Sequence, residues 1–188
     1  MASFLNNFDA LNLLMEKGAD ISLKHNMNLN SYEEMVRADN SELLECIYPF
    51  VQEHQNKRNA KDSGNFSLLH LAAGSDGLKC LEFMLNKGQE LPNSICNMTD
   101  RTTPLHFAVL GNKLENTKMM LRYGANVNSK DSMGNTALHL AVANQNLRIV
   151  KSLEEFGGNA TIRNEDDVCA IDTAITEDFK EIKMWFLS

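Results

Sequence analysis

Apolar residues recur along the chain in short paired runs at helical spacing. Leu105 and Ala108, like Leu138 and Ala141, lie three apart and share one helix face, where the small alanine lets a neighbouring helix come close. Each pair is followed by a second run, Leu114, Met119, Met120 and Leu121 or Leu147, Ile149, Val150 and Leu153, whose spacing predicts a second helix packed on the first. Thr103 and Thr136 stand where an N-cap accepts a backbone N–H, and Pro104 suits a first helical turn whose N–H has no partner. Gly124 and Gly157 are placed to end the second helices in the left-handed conformation that glycine adopts cheaply. A turn around Asp131-Ser132-Met133-Gly134 then leads into the next pair. The pattern predicts helical hairpins joined by turns, an all-α chain.

Superposing the chain on itself shows a repeat. Thr103-Pro104-Leu105-His106-Phe107-Ala108 returns at an offset of 33 as Thr136-Ala137-Leu138-His139-Leu140-Ala141, and Ser67-Leu68-Leu69-His70-Leu71-Ala72 precedes it by 36. Cys169-Ala170-Ile171-Asp172-Thr173-Ala174 is a weaker copy a further 33 on. Gly88, Gly124 and Gly157 follow Ala72, Ala108 and Ala141 at one common offset of 16, so two independent landmarks keep one register. Counting back from Gly18 places the matching alanine at Ala2, and counting forward places the last glycine beyond Ser188, so the register expects the chain to begin and end inside a repeat. The copy centred on Met35 has lost the hexad, although Tyr32, Met35, Leu43, Leu44 and Ile47 keep helical spacing.

T-P-L-H-x-A, then Gly-Ala about sixteen residues on, then D-x-x-G, resembles the ankyrin repeat, whose period of about 33 residues is matched twice. The resemblance implies a solenoid of stacked helix-turn-helix hairpins with β-turn or hairpin loops. Residues 1–188 are then one ankyrin-repeat domain, in copies near 1–26 (partial), 27–61 (degenerate), 62–97, 98–130, 131–163 and 164–188 (partial). Departures are the lost hexad, a longer link through Gln52 to Lys61, and a three-residue insertion before Thr103.

Composition narrows the function. The formal charge of −7 and pI near 5.2 argue against a phosphate-backbone ligand, which is held by clustered Lys and Arg, so no direct nucleic-acid partner is expected. No apolar run approaches the roughly 18 residues of a membrane span, and the N-terminus has no basic region ahead of an apolar stretch, so an intracellular, cytoplasmic place is expected, with the nucleus an alternative. Cys46, Cys80, Cys96 and Cys169 are far apart and contain no C-x-x-C, which reads as reduced thiols. Met84, Met119, Met120 and Met184 stand at helix positions where soft side chains fill core gaps.

His70, His106 and His139 share one repeat position. Residues one repeat apart cannot converge to roughly 2 Å on a metal when helices pack about 10 Å apart, so no metal site is expected. The resemblance instead implies that these histidines bond adjacent turns and helices, with Leu69, Ala72, Thr103, Pro104, Leu105, Ala108, Thr136, Leu138 and Ala141 completing the structural motif. No G-x-S-x-G, P-loop, dinucleotide fingerprint or H-E-x-x-H occurs, so neither a catalytic residue nor a cofactor is expected.

Ankyrin-like stacks typically hold a protein on the concave side, made from the turn tips and the open side of the first helices. By position this implies Asn65, Phe66, Asp100, Arg101, Thr102, Ser132, Met133 and Asn135 from the tips and Ser75, Leu110 and Asn144 from the helices. Phe66, Leu110 and Met133 are apolar where the repeat faces water, which marks them as candidate contacts. The expected partner is a protein segment with basic and apolar residues, bound by an adaptor, by an inhibitor that masks a basic segment, or by the ankyrin part of a larger protein; the oligomeric state is left open. Asn126-Val127-Asn128 also matches a hairpin position at which ankyrin asparagines can be hydroxylated.

Repeat arrays are stabilised mainly by neighbouring interfaces, so the copy around Met35 should fray first. Hydrogen exchange is expected to show weaker protection there than around Ala141.

Overall fold

The computed structural model describes residues 13, 14, 17–19, 31–49, 67–87, 92–95 and 101–188. These form consecutive helical pairs. Helix α1 is Ser31–Arg37 and α2 covers 41–49; α3 (Leu68–Gly74) pairs with α4 (Leu78–Lys87), and α5 (Pro104–Leu110) with α6 (Leu114–Arg122). Helix α7 (Ala137–Ala143) pairs with α8 (Leu147–Glu155), and α9 (Ala170–Thr176) with α10 (Lys180–Leu187). Strand-like pairing among the described residues is confined to an isolated bridge between Arg163 and Cys169.

The inner helices α1, α3, α5, α7 and α9 pack in series, and the outer helices α4, α6, α8 and α10 form a parallel row. The inner ones are seven residues long, too short to be stable alone, so their order comes from packing. Leu69, Ala72, Leu105, Ala108, Leu138 and Ala141 are fully buried between the rows, with Leu81, Met84, Met120, Ile149, Val150 and Leu153 facing them from the outer helices. The copy without the hexad also folds as a pair, burying Met35, Val36, Leu43, Leu44, Ile47 and Tyr48. Met184 departs from the core reading: it is largely exposed, at the position where the preceding outer helices carry Lys118 and Lys151.

Helix starts follow the chemistry of the hexad. Thr103 caps α5 by accepting the His106 N–H, while the Thr103 N–H donates to His106 Nδ1 at 3.0 Å. The N–H of Thr136 donates in the same way to His139 Nδ1 at 3.1 Å. Gly124 and Gly157 end the outer helices of their repeats with φ of +85°. Cys46, Cys80 and Cys169 are free thiols, and burial pushes the Cys80 thiol up to about 12; Cys96 lies outside the described residues, as does the link through Gln52 to Lys61.

Two repeats approach closely between α3 and α5. A Cβ placed on Gly111 would lie 2.3 Å from the carbonyl oxygen of Gly74, and one on Gly74 would meet the Phe107 carbonyl at 3.3 Å. Gly111→Ala is therefore expected to push the two inner helices apart and destabilise the fold by about 3 kcal/mol. Gly124→Ala, where a Cβ meets nothing within 4 Å and only the positive φ is strained, should cost about 1 kcal/mol. Urea unfolding of the two variants checks the order.

Candidate functional site

Polar groups bind each repeat to the next largely through main-chain atoms. In His106 and His139 the ring Nδ1 accepts a backbone N–H, so the ring proton sits on Nε2. His139 Nε2 donates to the Val168 carbonyl of the following turn at 3.1 Å, and His70 Nε2 to that of Thr102 at 3.2 Å. His106 Nε2 faces the carbonyls of Asn135 and Ser129 without reaching hydrogen-bond geometry with either. Burial lowers the pKa of all three, that of His70 to about 4, so each imidazole is neutral at pH 7.

Asparagines form a second set of rungs. Asn93 donates to Gly124 O at 3.1 Å and accepts the Asn126 N–H at 2.6 Å. Asn128 repeats the pattern one copy on, with Gly157 O at 3.0 Å and the Asn159 N–H at 2.9 Å. Its amide thus carries a structural rung at the position noted above for hydroxylation. Buried Asn116 reaches the carbonyls of Ala72, Ala73 and Ser75 at the end of α3. Asn116 has no signal in the sequence: one period after it stands Ile149, and no periodicity marks it.

The turn tips are held from within and from the side. Asp131 Oδ1 accepts the N–H groups of Met133 and Asn135 at 2.9 and 2.8 Å, and Gly134 completes the turn at φ +75°. Asn164 closes the next tip by accepting from Asp166 and Val168 at 3.1 and 3.0 Å. The two tips are joined by Glu165 N–H to Met133 O at 2.9 Å and by Asn164 Nδ2 to Asn135 Oδ1, also 2.9 Å.

These bonds sort the residues expected to meet a partner. Met133 is 61% exposed on its tip and Leu110 52% exposed at the end of α5, and Ser132 and Arg101 are exposed too. Asn135 is half-buried and shares its Oδ1 with Asn164. Asn144 is exposed, but its amide donates to Val109 O at 3.0 Å and finishes the preceding inner helix. Ser75 donates to Ala72 O at 3.3 Å and accepts from Gly77 N–H, and Thr102 is half-buried with its carbonyl on His70. Asn65, Phe66 and Asp100 lie outside the described residues.

The fifth hexad position adds a row that the motif reading leaves out. Leu71, Phe107 and Leu140 are each half-buried, one per repeat, and so stand side by side along the stack. Phe107 packs edge-on against His70, with centroids 5.3 Å apart, and over the bare face of Gly74. The signal for this row is apolar side chains recurring beside the histidine. Helices α3, α5 and α7 contain no Asp, Glu, Lys or Arg, so the row is an uncharged strip beside a polar tip edge carrying Asp131, Glu165, Asp166 and Asp167.

Among the described residues no group of three or more His, Cys, Asp or Glu is placed to hold a metal, and no helix is long and apolar enough to cross a membrane.

The family model described as ankyrin repeats, in three copies, matches residues 33–131 and 69–166. Relatives include an ankyrin repeat protein of Acanthamoeba polyphaga mimivirus, 25% identical over 127 residues that cover 68% of this chain and 16% of that protein. Another is the mitochondrial disaggregase of Bos taurus, 26% identical over 137 residues covering 72% of this chain and 19% of that protein. The chain spans less than a fifth of the length of either relative.

The neutral histidines predict a pH dependence. His70 has a folded pKa of about 4 against 6.5 in the unfolded chain, so the unfolded state binds the extra proton between these values. Its contribution is complete above pH 6.5 and is lost as the pH falls from there towards 4. The stability gap between wild type and His70→Gln should narrow by roughly 2 kcal/mol from pH 7 to 4.5 in urea unfolding. An unchanged gap would contradict a neutral buried imidazole.

Proposed function

Because the chain belongs to the ankyrin-repeat family, we propose that it acts as a protein-binding adaptor whose partner lies along the strip of inner helices and turn tips. Ankyrin repeats are generally protein–protein interaction modules. The observation that carries the reading is the arrangement of exposed Leu110 and Met133 beside the uncharged row of Leu71, Phe107 and Leu140, on tips already fixed by hydrogen bonds. A surface ordered beforehand loses little conformational freedom on binding.

The partner is a segment with apolar side chains and Lys or Arg: the apolar ones cover the strip, and the basic ones meet the acidic tip residues Glu165, Asp166 and Asp167. The overall charge of −7 steers such a segment in and raises its association rate at low salt. In this reading residues 1–188 form one repeat domain without catalytic groups, in the cytoplasm. A second reading, the repeat portion of a larger protein, is supported by the much greater length of both relatives.

Leu110→Asp and Met133→Asp each change an exposed position, so both variants should keep the wild-type melting temperature while binding the partner at least about tenfold more weakly. Capture from cell extract with wild type and variants side by side, followed by titration of the captured protein, measures this. Unchanged affinity in both variants would place the contact elsewhere.

A further inference from the structure

One position of the turn tips recurs a period apart at Arg101, Gly134 and Asp167, and all three hold left-handed backbone, at φ of +47°, +75° and +59°. Glycine takes this conformation without strain and aspartate is enriched in it, whereas an arginine there works against its own Cβ. At Gly134 a Cβ would lie 2.8 Å from the Glu165 nitrogen; Arg101 carries a whole side chain at the same position and is exposed. The backbone beside it is fixed, because the next carbonyl, that of Thr102, takes the bond from His70. A strained residue on a fixed tip directs attention to what its side chain can meet.

Most other charges of this edge have partners within the stack. Lys130 donates to the Arg163 carbonyl at 2.7 Å, and Asp131 accepts from the N–H groups of Met133 and Asn135. Arg163 pairs with Asp167 at 3.7 Å and with Asp172 at 3.1 Å. Among the described residues Arg101 makes no ion pair, and neither do Glu165 and Asp166. Glu165 and Asp166 are exposed, as are Ser132 and Met133 one period earlier, where a further repeat follows; the position faces solvent inside the stack too.

From tip to tip the surface therefore passes from a cation at Arg101, through apolar Met133, to carboxylates at Glu165 and Asp166. With inner helices packed about 10 Å apart, the two charged ends lie about 20 Å from each other, a span that about six residues of extended chain cover. On the premise that the inner-helix strip binds the partner, we propose that the bound segment has a fixed charge order: a carboxylate for Arg101, apolar side chains for Met133 and the row of Phe107 and Leu140, then Lys or Arg for Glu165 and Asp166. A guanidinium holds a carboxylate through two parallel N–H···O bonds and repels a basic side chain in its place, so Arg101 selects orientation as well as partner.

The test titrates labelled peptides into the full chain and follows fluorescence anisotropy. Each peptide has a leucine-rich centre. Two carry glutamates at one end and lysines at the other, one for each chain direction, and a third carries lysines at both ends. The tighter of the two bipolar peptides should bind at least about tenfold better than the doubly basic one. Arg101→Gly should weaken the bipolar peptide about tenfold without lowering the melting temperature, since glycine relieves the left-handed backbone; a merely structural role would move both together. Arg101→Glu should reverse the preference. Asp100, the neighbour of Arg101 in the chain, lies outside the described residues; if it already satisfies the guanidinium, the acidic end makes no difference. Equal affinity for bipolar and doubly basic peptides, or a preference that survives Arg101→Glu, overturns the charge order and leaves the strip standing so long as Met133→Asp weakens both. Binding indifferent to Met133→Asp, or no binding by any peptide, removes the strip reading and the charge order with it.

Discussion

Short helices need an external reason to stay in register, and here that reason is a set of hydrogen bonds that start on a side chain in one repeat and end on the backbone of the next. The imidazole does this most economically. One ring nitrogen closes the N-terminus of its own helix and the other reaches the following turn, as at His70 and His139. Asn93 and Asn128 do the same elsewhere on the stack, and Asn116 reaches back to the repeat before it. Non-directional apolar contact between helices tolerates sliding; these bonds do not, since a shift would leave buried donors and carbonyls without partners.

The fold could be read from the sequence because its determinants are local and periodic. Leu105, Ala108 and Gly124 repeat at a fixed interval, and each has a mechanism acting within a few residues. The degenerate copy around Met35 remained legible as helix because Leu43, Leu44 and Ile47 kept the spacing that burial requires. The surface was less legible. Position alone did not distinguish Met133, whose side chain is exposed, from Asn144, whose amide finishes a helix in the repeat before. Such bonds join positions a whole repeat or more apart and leave no period when only one copy makes them, as with Asn116. Met184 shows the same limit from the apolar side: helical spacing marks a methionine as suited to a core, but only the neighbouring helices decide whether one is there.

The division of labour between helices also places the charge. Inner helices must touch on both flanks, so α3, α5 and α7 carry no ionised side chain, and the charges are displaced to tips, connections and outer helices. Some pair across repeats there, as Lys113 does with Asp76 at 2.5 Å and Lys87 with Glu45 at 3.5 Å, contacts exposed enough to add little stability. What they set is the electrostatic character of each edge.

The receiving ends of the principal rungs are Thr102 O, Val168 O, Gly157 O and the N–H of Asn159, all main-chain groups. Every residue type except proline supplies both kinds of group. The stack can therefore exchange almost any side chain at positions such as Thr102 and Val168 without breaking its registration, while Gly157 is kept by its positive φ; this leaves the former open to mutational drift and to selection for new contacts. A protein built this way can lose most of its sequence identity with its relatives while the architecture persists.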